Sequence, residues 1–211
     1  MSDLRAPHLI PAQGERLVRE AYRRDFRQRE AVLRNRDSWK LERRQHFEEQ
    51  AVPSYDAFRR GDWDESMRLL EERTDSLLAM TREDELRNSF FHRVRVVETP
   101  LTPYMRWELR SLRMRAECGE RIRVVAAEAV AVFERGGPLP EVVVLGGRTL
   151  YRVLYTEGGV PDGAFRYTTP HLVRDWEDYI RGLYETGEDV RSYVDRELTS
   201  LSSSTVGSKT E

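Results

Sequence analysis

Two short runs, His92–Val97 (HRVRVV) and Glu120–Val125 (ERIRVV), alternate in character with a period of two, as strands with one apolar face do. The segment between them carries its own helix signals. Thr102-Pro103 places an N-cap hydroxyl before a proline at the first helical position. Met105, Leu109, Leu112 and Ala116 fall on one helical stripe, and Gly119 supplies a left-handed stop. Two strands joined by one such helix are expected to lie parallel with a right-handed crossover. The chain is therefore expected to be α/β, with α+β as the alternative: a small mixed sheet containing this β-α-β unit and a hairpin, flanked by helices.

The rest of the chain is read around that unit. Residues 1–13, with Pro7 and Pro11, read as a flexible leader, and residues 14–91 as a helical N-terminal region packed on the main domain. Within it the spacing predicts a helix from Glu15 to about Arg34. Ser38–Phe47 fits a strand or a helix. Asp62 to Glu65 has the form of a capping box, opening a helix through Met67, Leu70, Leu77 and Leu78, and residues 82–91 suggest another short helix. Residues 92–199 form the α/β domain. Ala126–Glu134 fits a short helix or a third strand, and Val142–Leu145 and Thr149–Tyr155 flank Gly146-Gly147 as a hairpin. Ala164–Thr168 suggests another strand, and Thr169-Pro170 repeats the helix-start device ahead of Val173, Trp176, Ile180 and Leu183. A last helix is expected over Glu188–Leu198, and residues 200–211 read as a disordered tail.

Composition narrows the functional classes. All but two of the 35 basic residues are arginine, the exceptions being Lys40 and Lys209. Arginine suits bidentate recognition of phosphate and carboxylate, although codon usage in a GC-rich genome explains the same bias. A net charge of -2 argues against direct DNA binding. The charge is uneven: residues 93–125 hold eight arginines against four glutamates, and residues 172–199 four arginines against eight acids. Cys118 is the single cysteine, so no intramolecular disulfide forms. With no signal-peptide pattern and no membrane-length apolar run, a cytoplasmic location is expected.

Most motif chemistry is absent. The four histidines are scattered, and Glu42, His46 and Glu49 lack a closing ligand, so no metal site and no cofactor are expected. Cys118 ends a helix, where the dipole disfavours a thiolate. Gly146-Gly147 and Gly158-Gly159 lie between strands without a lysine, and read as turns rather than phosphate loops. There is no helix-turn-helix signature, no Ser-His-Asp order and no zinc spacing. One segment remains. In a parallel sheet the loop beyond a strand's carboxyl end is the usual ligand location, and here it is Glu98–Pro103, followed by Tyr104, Arg106 and Glu108. With Arg95 on the strand, these residues are the candidate ligand site, suited to a phosphate or a carboxylate. An exposed helix flank held by Glu–Arg pairs is the plainer reading.

The run Val94–Val125 resembles an uncharacterised actinobacterial family of domain-of-unknown-function proteins. Glu98, Pro100, Leu101, Tyr104, Arg106, Trp107 and Glu108 match its first motif, and Gly119, Glu120, Ile122 and Arg123 its second. Trp39, Leu41 and Glu42 also resemble it upstream, so the similarity spans roughly residues 38–185. Members are often encoded beside helix-turn-helix regulators, which implies a regulatory or protein-interaction role with such a regulator, or a second copy, as partner. The element order also resembles half of a phospholipase-D-like fold, but Glu141–Arg148 lacks that fold's His-x-Lys, so phosphodiesterase activity is not expected. Tyr104 and Glu108 are similar to a tyrosine–glutamate pair of cyclodipeptide synthases. That resemblance implies the alternative: an enzyme using an aminoacyl-tRNA or a nucleotide- or phosphate-bearing substrate.

Overall fold

A computed structural model describes residues 6–134 and 136–197. Eight strands form one sheet: β1 (Glu15–Leu17), β2 (Ser38–Glu42), β3 (Phe91–Val97), β4 (Arg121–Ala126), β5 (Glu141–Leu145), β6 (Thr149–Tyr155), β7 (Pro161–Tyr167) and β8 (Glu188–Asp189). Their order is β1-β7-β6-β5-β2-β3-β4-β8. β2, β3 and β4 are parallel, and every other pairing is antiparallel. The helices are α1 (Arg19–Ala31), α2 (Pro53–Arg59), α3 (Trp63–Glu71), α4 (Thr74–Arg87), α5 (Pro103–Glu117), α6 (Ala127–Val130), α7 (Pro170–Thr186) and α8 (residues 190–197). The expected β-α-β unit is thus β3-α5-β4, and the expected hairpin is β5-β6.

Alternation along the strands sends side chains to two helical layers. Leu41, Val94, Val96, Val142, Val144 and Leu150 face α7, where Val173, Trp176, Ile180 and Leu183 complete the larger core. On the other face Val97, Ile122 and Val124 meet Met105, Leu109 and Leu112 of α5. Farther along that face, α1 lays Tyr22 and Phe26 against Val143, Leu145 and Tyr151. Thr102 caps α5 by accepting a hydrogen bond from the Met105 N–H at 3.1 Å, and Asp62 caps α3 by accepting from Glu65 N–H at 3.1 Å.

Several expectations change in detail. The helix expected from Glu15 begins at Arg19, because residues 15–17 pair with β7 as an edge strand. Ser38–Phe47 resolves into the central strand β2 and a loop, so Glu42, His46 and Glu49 do not share a helical face. The helix expected over 82–91 is the end of α4, which stops at Arg87; Asn88 follows in the left-handed conformation, at φ 47°. Ala126–Glu134 contains α6 and a 3-10 turn rather than a third strand. The segment expected as a last helix starts with the short strand β8, and only then turns into α8. Of the leader, residues 6–13 lie in described structure, with Leu9 buried in the α7 core and a 3-10 turn at Pro11–Gln13. The sheet also crosses the boundary expected at 91/92, since β1 and β2 precede it. The expected tail, residues 200–211, lies outside the described residues.

Candidate functional site

The carboxyl ends of β2 and β3 open into a cleft of about 1090 Å³. Its walls come from the loop after β2 (Arg43–Glu48), the start of α5, the approach to β5 (Pro138–Glu141), and the end of β6 (Arg152–Tyr155), with Tyr55 and Arg59 of α2 at the rim. The loops are tied to one another rather than free. Gln45 donates to Val96 O at 2.9 Å and accepts from Glu98 N–H at 2.9 Å, joining the loops beyond β2 and β3. The Arg43 guanidinium forks onto Glu134 at 2.7 and 3.0 Å and reaches Glu98 at 2.6 Å. Gly159, at φ +84°, lets the β6–β7 turn close on Glu48, whose N–H donates to Gly159 O at 3.0 Å; a Cβ there would lie 3.1 Å from that nitrogen.

Glu141 stands in the wall of this cleft, 6% exposed. Its Oε1 accepts from Arg43 N–H at 3.0 Å and Arg44 N–H at 2.7 Å, whereas its Oε2 has no hydrogen-bond partner. Burial, with the Glu42 carboxylate on the neighbouring strand, pushes the Glu141 carboxyl up to about 7. Nearby cations do not neutralise it. Arg44 donates to Glu157 O at 3.1 Å and lies over the Tyr155 ring, and among the described residues neither it nor Arg152 forms an ion pair. Tyr55 donates to Glu48 at 3.2 Å, and its hydroxyl is pushed up to about 12 by burial and by that glutamate.

Beneath the cleft, between α5 and the sheet, charged side chains occupy alternate positions of β2 and β3. Lys40 and Glu42 of β2 stand beside Arg93 and Arg95 of β3 in register. Arg95 is fully buried and donates twice to Glu108 Oε2, at 2.7 and 3.0 Å; its remaining bonds reach Glu42 O, Val96 O and Met105 Sδ. Arg93 donates to Glu42 at 2.8 Å, and Lys40 pairs with the other oxygen of the same carboxylate. Burial works to raise the Glu42 pKa, but Arg93, Lys40 and Arg95 outweigh it and hold the carboxyl well below its usual range. A chamber of about 260 Å³ lies against Glu42, Arg93, Glu108 and Arg115, and shares Glu48 and Tyr155 with the cleft wall.

The five residues expected as one ligand site are thus distributed over three places. Tyr104 and Glu98 line the cleft. Tyr104 is almost fully buried, donates to Glu49 at 3.2 Å, and has its hydroxyl pKa raised by burial ahead of Glu108 and Glu49. Arg95 and Glu108 do meet, but as a core ion pair, not as an exposed helix flank. Arg106 points elsewhere, into a separate groove of about 350 Å³ with Trp63, Leu101 and Leu109. The residues that sequence reading missed are Arg44, Glu141 and Arg152. An acid heading the run Val142–Leu145 was the available signal for Glu141, since a charge entering a buried strand needs a reason. Cys118 is buried, with its thiol pKa raised by burial and by Glu117. Among the described residues no group of three or more His, Cys, Asp or Glu is placed to hold a metal ion, and no helix is long and apolar enough to cross a membrane.

The chain is a mixed α/β protein with a polar cleft at the carboxyl ends of its parallel strands. Residues 25–195 match the model of a family described as a domain of unknown function, DUF6879, and the chain belongs to that family. Neither the curated proteins nor the solved structures contain a match to the chain.

Proposed function

We propose that the protein is a regulatory domain that binds a small polar ligand in the cleft between the β2, β3 and β6 ends, and passes that state to a protein partner. The observation that carries the reading is Glu141: a carboxylate oxygen without a partner, in the wall of a cleft large enough for a metabolite. An unpaired buried polar atom costs about 1–3 kcal/mol, and a ligand N–H or O–H group offsets that cost. Arg44 and Arg152, both without an acid partner among the described residues, supply the complement for an anionic group on the same ligand. The ligand is therefore bifunctional, with a donor facing Glu141 and a carboxylate or phosphate facing the arginines. A partner that is either a helix-turn-helix regulator or a second copy of this chain, drawn from the resemblance at Val94–Val125, completes the proposal, in a cytoplasmic setting.

A second reading rests on the same side chain. A carboxyl group near pH 7 is matched to general acid–base work at neutral pH, so an enzyme acting on an aminoacyl or phosphate-bearing substrate remains in competition. Phosphodiester hydrolysis is not proposed, because the β5–β6 hairpin carries neither a histidine nor a lysine.

Amino acids, nucleotides and sugar phosphates are tested by thermal shift and then calorimetry against wild type, Glu141→Gln and Arg152→Gln. We expect one ligand class to bind, with Kd weakened at least about tenfold by each substitution while the folded spectrum is kept. Binding untouched by both substitutions, or no binding at millimolar ligand, rejects the reading. Turnover of the bound ligand with a pH–rate profile abolished in Glu141→Gln decides for the enzyme.

A further inference from the structure

The opposite end of the sheet has a different chemistry. At the amino ends of β2, β3 and β4 lies a shallow basin of about 820 Å³, walled by Asn35 to Asp37, Phe90, Arg121, the Gly146-Gly147 turn, and Arg174, Glu177 and Arg181 of α7. Four arginines meet two acids there, and both acids are already engaged. Asp37 accepts from Phe90 N–H at 2.9 Å and bonds His92 at 3.0 Å, and Glu177 is paired with Arg181 at 2.9 Å. Arg36 and Arg174 are exposed and form no ion pair among the described residues, and exposed Arg148 follows the Gly146-Gly147 turn in the same condition. The basin therefore carries a surplus of positive charge on a chain whose net charge is -2.

We propose that this basin docks an acidic segment of a partner protein, with spaced aspartate or glutamate side chains on Arg36, Arg174 and Arg181. Guanidinium groups bind carboxylates bidentately, and do so with a more weakly hydrated charge than lysine. The surroundings favour a peptide over a nucleic acid. Base stacking needs an open aromatic face, but Arg121 covers the Phe90 ring at 3.6 Å and Arg181 lies over Trp39 at 5.3 Å. Asp37 and Glu177 would oppose a continuous line of phosphates, whereas a peptide with spaced acids can avoid them. Asn88 donates to Asn35 at 3.1 Å, which leaves the Asn35 amide N–H and the Asn88 amide oxygen to meet a peptide backbone. The docking basin and the cleft lie at opposite ends of the parallel strands, so the two bindings are separable.

The test uses fluorescence anisotropy at 50 mM and 300 mM salt with the full chain. The probes are a labelled peptide of about 12 residues rich in spaced Asp and Glu, and a labelled single-stranded DNA of similar charge; both are choices matched to the basin's chemistry. The variants are Arg36→Glu with Arg174→Glu, and a charge-matched control outside the basin, Arg24→Glu with Arg60→Glu. We expect peptide binding that weakens at least about tenfold in the basin variant and no more than about twofold in the control, and that weakens again at high salt as screened contacts do. Equal loss in the control, no peptide binding at 50 mM salt, or tighter binding of the DNA than of the peptide overturns the proposal.

Discussion

Glu141 is 6% exposed in the wall of the cleft, with one carboxylate oxygen that has no hydrogen-bond partner. Its folded carboxyl titrates near 7 against an ordinary value of 4.5, because burial, and then Glu42, disfavour the charged form. Between those two values the native state binds more protons than the unfolded chain, so stability falls as pH rises through that window. At about 1.4 kcal/mol per unit the shift corresponds to a burden on the order of 3–4 kcal/mol above pH 7. Glu141→Gln keeps an oxygen for the Arg43 and Arg44 N–H groups and removes the charge. The variant is expected to be more stable than wild type at pH 8 by roughly that amount, with the difference fading to little below pH 4.5. Urea unfolding of both proteins across pH 4 to 8 measures it, and a difference that does not change with pH would contradict the account. A residue that weakens its own fold is legible in a sequence only as an oddity, an acid before three valines. Its raised carboxyl pKa depends on where β2 places Glu42 and on where the loop places two backbone N–H groups.

Between β3 and α5 an ion pair is added to the apolar contacts around Val97. Arg95 spends all its donors inside the protein, on Glu108, on two backbone carbonyls and on the Met105 sulfur. Removing one member of a buried pair leaves the other charge unpaired and costs about 3–5 kcal/mol, whereas exchanging both for apolar groups is often nearly neutral. Arg95→Met is thus expected to lose several kcal/mol in urea unfolding, and Arg95→Met with Glu108→Leu to regain most of it. If the double variant is as weak as the single one, the pair has a role beyond holding helix to sheet. The elements also show where periodicity misleads. Glu15–Leu17 continues the helical spacing of α1, yet forms an edge strand on β7. Gly163 permits this approach: it adopts φ +93°, and a Cβ there would lie 2.1 Å from Leu17 O. Thr169-Pro170 looks like Thr102-Pro103, but only Thr102 makes a capping bond. The α7 helix is instead held by Val173, Trp176, Ile180 and Leu183 in the core.

For the whole molecule, the central position belongs to β2, which pairs with β3 on one side and β5 on the other. A chain cut between Phe91 and His92 therefore separates β2 from β5 and from nearly all of β3. Fragments 6–91 and 92–197 are each expected to lack a cooperative urea transition, and a wild-type-like transition in 92–197 alone would show that β2 is dispensable. Elements with short-range signals are readable along the chain: the alternation of β3 and β4, the caps at Thr102 and Asp62, the two-glycine turn of the β5–β6 hairpin, and the apolar stripe of α7. Each depends on bonds or periodicities within a few residues, which a linear reading can count. Long-range packing makes an ambiguous segment the central strand, sets Arg95 and Glu108 in the core, and brings Glu141 into one cleft with Tyr104 and Glu98. Those outcomes rest on strand order and register, which bring residues 42, 95 and 141 onto one face of the sheet, and on desolvation, which acts on a charge only after other elements have covered it.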